Sequence, residues 1–447
     1  MSSSSRTRLR DIETAAPSLP AGTADRILQA VDDAFEDSVA LLGRLVRTPS
    51  LRGQERAVQE IVAEELAARG YEVERQVVDP SAFGDHPAFS PATIDYADTF
   101  NVVGHRRSAV ARGRSLILNA HVDVVPTADP ARWTHPPFAA ARDGDWLYGR
   151  GAGDMKAGLV ANIFALDALK AAGLGLTAPV QIQSVVDEEV TGNGAAAMIA
   201  AGHVADAVLI PEPTDEQLVR ANSGVIKFAI SVSGVPVHPR EVDSGVSAID
   251  AAISLMAHLR RLEERWNAER SRHDGFGDIA NPAALNIGTF AGGEWPASVS
   301  CDCRFEGRIG FYPGDDPYVR AAEFEAFVAE VAAGDPRIAA AEPKIDWIGV
   351  MQGGYRLDPA SDAERLFREA HGQAHGASPD AYVMPCYLDA ALFALHAGMP
   401  ALVYGPVAEN IHGIDERVSL SSIRRVTKTI ALFAAGWCGV EEAGATG

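Results

Sequence analysis

The chain has 447 residues, of which 47% are hydrophobic and 22% charged, so it is a folded globular protein of two or three domains and not a disordered or fibrous one. Lys and Arg number 39 against 60 Asp and Glu, a net charge of −21. So acidic a surface repels nucleic acid, and we expect no such partner. Four cysteines without framework spacing exclude a disulfide scaffold, and no apolar run reaches about 18 residues. We therefore expect a cytoplasmic protein with no membrane partner.

The first half of the chain predicts helices that alternate with buried strands. Residues 1–20 are polar, and we interpret them as a disordered leader. The elements predicted after it are helices over 23–46, 53–70 and 155–172, strands over 71–77, 115–125, 180–189 and 206–213, and a loop over 80–98. Strands that are apolar almost throughout and separated by helices are typical of a parallel sheet covered on both faces.

The pattern changes near residue 224. An alternating strand, a helix rich in Arg and Glu and a strand–turn–strand segment predict a small α+β domain over 224–348. Helices and a strand follow again in 349–447. We predict an α/β fold in which 21–223 and 349–447 form one catalytic domain, with a mostly parallel central sheet flanked by helices, and 224–348 is inserted into it.

Acidic and imidazole side chains follow almost every predicted central strand. In an open α/β sheet, functional groups gather at the carboxyl ends of the strands. Each residue alone has a plain explanation; Asp154, for example, precedes a helix and suits an N-cap. Together, such like charges would repel one another without cations, and borderline divalent ions accept this mixture of donors. The residues concerned are His121, Asp123, Asp154, Asp187, Glu188, Glu189, Glu212 and His412.

The number of candidate ligands favours two ions. One catalytic zinc takes about three protein ligands, whereas two ions about 3.5 to 4 Å apart take roughly five, one of them a bridging carboxylate. If the strand before Asp187 ends there, Glu188 and Glu189 both enter the cleft. Glu189 would then bind metal, and Glu188 would take a proton from the attacking water and return it to a leaving nitrogen. Asp123, two residues after His121, would orient that imidazole.

Five sequence runs carry a family resemblance. LNAHVDVVP, YGRGAGDMKAG, DEEVTGNGA, PEPT and IHGIDERV resemble, in order and spacing, the M20 family of di-zinc metallopeptidases, and most of all its acetylornithine deacetylase and succinyl-diaminopimelate desuccinylase branch. The resemblance covers about 36–437. It implies two Zn²⁺ ions per chain, replaceable by Co²⁺, with Asp154 bridging them and Asp123 and Glu188 as the catalytic pair. The implied metal ligands are His121, Asp154, Glu189, Glu212 and His412.

The inserted domain resembles the lid of this family, which commonly forms a dimer interface, so the resemblance implies a homodimer. In GVPVHPRE, His238 would polarise the scissile carbonyl, often in the partner's active site. Arg308, or less favourably Arg304, would bind a substrate carboxylate. The Asn that the family often carries shortly before a Pro is missing from 292–315, so substrate recognition is expected to differ from that of well-known members.

The resemblance implies a metal-dependent hydrolase that cleaves the amide bond of an N-acyl amino acid or a related small N-acylated compound. Glu212 in PEPT favours a deacylase over an aminopeptidase, since Asp is usual at this position in the family's aminopeptidases. A dipeptidase or exopeptidase on the same scaffold, and a non-catalytic ligand-binding member, are the alternatives. A dinucleotide-dependent oxidoreductase is rejected because the glycines around Asp154 do not form GxGxxG and its charge would repel a pyrophosphate.

Overall fold

The computed structural model describes residues 19, 21–108 and 112–443. The leader predicted over 1–20 lies outside these described residues, apart from residue 19. Within the described part of the chain, no helix combines the length and apolar character needed to cross a lipid bilayer.

The centre of the molecule is a six-stranded sheet. The first two strands pair antiparallel, and the other four run parallel to one another. Every residue of the two central strands Leu116–His121 and Ala207–Ile210 is buried, as expected for a sheet covered on both faces. The predicted α/β fold with a mostly parallel sheet is therefore confirmed. In spatial order the strands are Glu72–Val77, Phe100–Arg106, Val180–Val185, Leu116–His121, Ala207–Ile210 and Ala401–Val403.

Helices flank this sheet and form one hydrophobic core with it. The single helix predicted over 23–46 is wrong: the backbone leaves the helical region at Ala34, with φ −90° and ψ 3°, which lets two shorter helices each bury their own apolar stripe. The helices are Thr23–Asp33, Phe35–Val46, Arg56–Ala68, Pro80–Phe83, Ala157–Ala171, Asn193–Ala200, Asp362–His375, Ala390–Ala397 and Leu420–Cys438.

A second, antiparallel sheet has its own core, which includes Phe228, Phe305 and Phe324. Its strands, in spatial order, are Leu285–Gly292, Asp302–Phe311, Gly224–Ser233 and Lys344–Gln352, and the helices Ala248–Asn267, Pro317–Gly334 and Pro336–Ala340 pack with it. The division into 21–223, 224–348 and 349–447 stays a prediction, and the strand Lys344–Gln352 crosses its last boundary.

Short strands complete the fold and join distant loops. Arg417–Ser419 pairs with Trp146–Tyr148, which brings the loop before Arg417 beside the loop after Tyr148. The remaining short elements are the strands Ala141–Asp143, Leu174–Leu176, Leu218–Asn222, Ala381–Met384, Ala408–Glu409 and Val440–Glu442, the 3-10 turns Pro130–Arg132, Pro239–Ser244 and Arg270–Arg272, and the π turn Ala152–Lys156.

Candidate metal centre

The parallel strands deliver their polar side chains to one edge of the central sheet. His121 at the end of its strand lies opposite Val185, the last residue of the neighbouring strand. The strand Ala207–Ile210 pairs with the other side of the His121 strand, and Glu212 follows two residues after it. The strand ends are therefore level, and the side chains that follow them enter the same cleft.

A turn at Asp187 lets two consecutive glutamates face the cleft. The strand ends at Val185, and Asp187 has a φ of 59°, in the left-handed region. Its buried carboxylate accepts hydrogen bonds from the Arg52 guanidinium, the Tyr96 hydroxyl and the Thr191 hydroxyl, which offsets the cost of this conformation. Glu188 and Glu189 both line the cleft beyond the turn.

Asp123 holds this turn in place. Its buried carboxylate accepts the backbone N–H of Glu188 at 3.2 Å and that of Glu189 at 3.1 Å. Its backbone carbonyl lies 3.0 Å from His121 Nδ1, so that nitrogen carries the proton and Nε2 faces the cluster. Asp123 thus orients both an imidazole and the two glutamates.

Two groups of three potential ligands share the carboxylate of Asp154. In the first, His121 Nε2 lies 3.1 Å from Asp154 Oδ1 and 3.8 Å from Glu212 Oε1. In the second, His412 Nε2 lies 3.3 Å from Asp154 Oδ2 and 3.0 Å from Glu189 Oε2. The ligand atoms of each group all lie within 4.8 Å of one another. Asp154 offers one oxygen to each group, which is the arrangement of a bridging carboxylate between two ions.

His412 lies on a loop that is held in place by the buried ion pair between Arg150 and Glu416. His412 has a φ of 60°, uncommon outside glycine, and its side chain is 53% exposed. Arg150 donates to Glu416 at 2.6 Å and to the backbone carbonyl of Gly413 at 2.8 Å. Glu416 also accepts the backbone N–H of Asp154 at 3.1 Å. The Arg150–Glu416 pair therefore joins the loop of His412 to the loop of Asp154.

The cluster stabilises positive charge on its imidazoles. Burial by itself lowers the pKa of His121, but the hydrogen bond to Asp154 and the charges of Glu212 and Asp123 outweigh burial and raise it. Hydrogen bonds to Asp154 and Glu189 raise the pKa of His412 to about 10.

The pKa values of the carboxyl groups show that the cluster contains more negative than positive charge. Burial raises the pKa of Glu188 and of Glu212 well above the usual range, and the neighbouring acids raise both further. Burial also raises the pKa of Asp123 to about 6. Burial opposes ionisation of Asp154, yet its hydrogen bonds to the two imidazoles lower its pKa. The pKa values of both imidazoles and of three of these carboxyl groups are thus raised, which means that the cluster favours additional positive charge. Together with the mixed imidazole and carboxylate donors, this fits a pair of divalent cations.

The second sheet forms the opposite wall of the cleft, which has a volume of about 570 Å³. Lys227 and Arg308, which face each other across two paired strands, both line it, as does Asn286, the residue paired with Arg308 on the other side. Lys227 Nζ donates to the backbone carbonyl of Glu189. Within the described residues the Arg308 side chain makes neither a hydrogen bond nor an ion pair, so its guanidinium, which lines the cleft, is free to bind a ligand.

Comparison with known proteins identifies the family. A sequence model described as Peptidase family M20/M25/M40 matches residues 117–436. The chain belongs to this family.

Two curated relatives of this M20 chain act on N-acylated compounds by name. N-formyl-4-amino-5-aminomethyl-2-methylpyrimidine deformylase from Halalkalibacterium halodurans is 29% identical over 368 residues, which cover 78% of this chain and 85% of that protein. Acetylornithine deacetylase from Yersinia pestis is 31% identical over 289 residues, 62% of this chain and 68% of that protein. The solved structure of a di-peptidase from Saccharomyces cerevisiae has a TM-score of 0.75 at 15% identity, covering 94% of this chain and 99% of that one, and it supports the fold.

The predicted class of enzyme is thereby confirmed: this M20 chain is a metal-dependent hydrolase of amide bonds. Of the residues singled out in the sequence, the structure brings together the five proposed ligands, Glu188 and Asp123, and places Arg308 in the same cleft. It does not bring His238 there. That residue is exposed at the start of the turn Pro239–Ser244 and, among the described residues, is not part of the cleft lining of its own chain.

Several residues of this M20 chain escaped the sequence reasoning. Arg150 and Glu416 stand inside two of the quoted runs, YGRGAGDMKAG and IHGIDERV, which was a usable signal. Lys227 is a polar position of an alternating strand, and nothing in the sequence distinguishes Asn286. Arg304, the less favoured candidate for binding a carboxylate, instead contacts Ser231 and Asp346 at 3.2 Å each.

Proposed function

We propose that this M20 enzyme is a deacylase that hydrolyses the amide bond of a small N-acylated compound with a free carboxylate, using two Zn²⁺ ions. The observation that carries the proposal is the pair of ligand groups sharing Asp154, which open into a cleft of about 570 Å³ together with the guanidinium of Arg308. A cleft of this size takes a small molecule.

One ion would be held by His121, Asp154 and Glu212, and the other by Asp154, Glu189 and His412. Imidazole and carboxylate donors with three protein ligands per ion suit Zn²⁺, and Co²⁺ accepts the same set. When bound, the two cations supply Lewis-acid polarisation of the scissile carbonyl and a nucleophilic water at neutral pH.

Glu188 is the proposed general base and acid. Glu188 faces the cleft next to the proposed ligand Glu189, and its backbone N–H donates a hydrogen bond to the carboxylate of Asp123. The Glu188 carboxylate is therefore held at the cluster although it belongs to neither ligand group. In the reaction it takes a proton from the attacking water and gives a proton to the leaving nitrogen, after which the carboxylate is regenerated.

Arg308 is the proposed anchor for the carboxylate of the substrate. It lies on the wall opposite the acidic cluster, where a guanidinium can bind a carboxylate through two parallel hydrogen bonds. Lys227 adds positive charge beside it. The same wall carries apolar side chains such as Val225 and Ile348, which suit the hydrocarbon part of a small ligand.

A homodimer through the inserted segment 224–348 is part of the proposal, with His238 polarising the scissile carbonyl in the partner's active site. His238 is exposed and lies outside its own cleft, and apolar side chains near it are exposed, including Val235 at 48% and Val242 at 54%. We place the protein in the cytoplasm, because Cys301, Cys303, Cys386 and Cys438 are all free thiols.

Two neighbouring substitutions test the proposed chemistry. Glu188→Gln is expected to keep the metal content of the parent enzyme and to lose nearly all turnover, because it removes the proton carrier and leaves every ligand. Glu189→Gln is expected to lose metal as well as turnover. Metal analysis of both purified variants and their rates on a panel of N-acyl amino acids and dipeptides give the answer. Turnover of Glu188→Gln at the parent rate would refute the assigned base, and a parent enzyme that cleaves only the dipeptides would refute the deacylase.

A further inference from the structure

A second cluster of potential metal ligands lies outside the cleft. Glu74 is on the edge strand Glu72–Val77, His105 is on the next strand Phe100–Arg106, and His203 is in the turn after the helix Asn193–Ala200. His105 is paired with Glu72 across the two strands, and Glu74, two residues further on, points to the same face of the sheet. The three residues therefore meet because of the register of the strands.

Their geometry is close to that of a metal site. His105 Nε2 lies 3.1 Å from Glu74 Oε2, and His203 Nε2 lies 3.7 Å from Glu74 Oε1. All the potential ligand atoms are within 4.8 Å of one another. Tetrahedral zinc with bonds of about 2.0 to 2.1 Å holds its ligands roughly 3.4 Å apart, so small side-chain movements suffice.

The surrounding contacts hold the cluster in shape. The His203 side chain is only 11% exposed, and the backbone N–H of His203 donates to the carbonyl of Met198 at 3.0 Å. Gln76, two residues after Glu74, donates to the carbonyl of Ala197 at 2.9 Å. Burial lowers the pKa of His203, which keeps its ring neutral and able to coordinate. A simple ion pair between Glu74 and His105 leaves this second, largely buried imidazole unexplained.

The cluster is separate from the candidate metal centre. His105 pairs with Gln181, and that strand continues for four residues to Val185, where the cleft begins. Four residues of extended chain span about 13 Å. A metal ion between Glu74, His105 and His203 therefore shares no ligand with the cleft.

We propose that Glu74, His105 and His203 bind a further divalent transition-metal ion, with Zn²⁺ as the best match to two imidazoles and one carboxylate. Water would complete the coordination. The ion would join the exposed edge strand of the central sheet to the turn after the helix Asn193–Ala200, and so stabilise this edge of the molecule without taking part in hydrolysis.

The test compares metal content between the parent enzyme and His203→Ala. Both proteins are stripped with a chelator, equilibrated with Zn²⁺, freed of excess metal by gel filtration and analysed for zinc per chain. The parent is expected to hold one ion more than the variant, whatever number the cleft itself binds. Zn²⁺ is also expected to raise the Tm of the parent by more than that of the variant, with equal amide-hydrolase activity in both.

The control is His258→Ala, which removes a half-buried histidine from the helix Ala248–Asn267, away from the cluster. This variant is expected to retain the zinc content of the parent. Should His203→Ala not fold, Glu74→Gln on the exposed edge strand replaces it with the same expectation. Equal zinc content in the parent and the cluster variant, or loss of one ion from the His258 control as well, would overturn the proposal.

Discussion

Replacing Glu416 by Gln is expected to weaken the candidate metal centre although Glu416 is not a proposed ligand. The Glu416 side chain is 1% exposed and receives the Arg150 guanidinium at 2.6 Å. It also accepts the backbone N–H groups of Gly151 at 3.0 Å, Gly153 at 3.0 Å and Asp154 at 3.1 Å. Both carboxylate oxygens are therefore surrounded by donors, and the loop that carries Asp154 is shaped around them.

The size of the effect follows from these contacts. Gln has one oxygen and one NH₂ group, so its NH₂ group must face either Arg150 and Gly151 or Gly153 and Asp154, where it meets only donors. Breaking a buried ion pair from one side costs about 3 to 5 kcal/mol, because the other charge stays buried without its partner. We expect a loss of this order in the free energy of unfolding, together with weaker metal binding as Asp154 and the loop of His412 lose their shared support.

Glu409→Gln is the matched control. Glu409 lies on the short strand paired with Arg417–Ser419, the strand that begins directly after Glu416, and its carboxylate forms an ion pair with Arg417. The Glu409 side chain is 46% exposed, so its loss is expected to cost at most about 1 kcal/mol. Urea denaturation of both variants, with zinc affinity measured by competition with a chromophoric chelator, gives the comparison. Equal stability and equal zinc affinity in Glu416→Gln and Glu409→Gln would show that Glu416 does not support the loop of Asp154.

Two further predictions concern the substrate and the pH dependence of stability. Arg308→Met is expected to raise KM for N-acyl amino acids by about 10- to 150-fold, the equivalent of a charged hydrogen bond of about 1.5 to 3 kcal/mol. Arg304→Met, on the same strand, is the control and is expected to keep the parent KM. Equal KM values in the two variants would contradict the assignment of Arg308 as the carboxylate anchor. Burial and the neighbouring His371 lower the pKa of His375 to about 4. Between about pH 6.5 and pH 4 the unfolded chain therefore binds a proton at this residue that the folded chain does not bind. The free energy of unfolding is expected to fall by at most about 3 kcal/mol as the pH drops through this range. Urea denaturation across this range is expected to show a smaller fall for His375→Asn, and identical pH profiles would argue against it.

The placement of the candidate ligands could be predicted because it depends on topology. Parallel strands end at the same edge, so His121 and Glu212 come together once their strands are recognised. The entry of both Glu188 and Glu189 was predicted only on the condition that the strand had ended. The deciding feature, a φ of 59° at Asp187, leaves no trace in hydrophobic periodicity, because Asp occurs in both conformations.

Other features could not be predicted because they depend on contacts between distant parts of the chain. Arg150 and Glu416 are 266 residues apart, and only the pairing of two short strands brings them together. The helix break at Ala34 is hidden because apolar residues continue at helical spacing on both sides, with Val31 before it and Phe35 after it. The position of His238 depends on the connection between the strand Gly224–Ser233 and the helix Ala248–Asn267, for which neither periodicity nor spacing gives a direction.

Anomalous X-ray diffraction at the zinc edge, from crystals of catalytically active enzyme, tests most directly whether paired cations neutralise the acidic cluster. We expect two peaks about 3.5 to 4 Å apart, one on each side of the Asp154 carboxylate, the first near His121 and Glu212 and the second near Glu189 and His412. Active crystals with a single peak there, or with none, would show that the acidic cluster does not work with a pair of zinc ions.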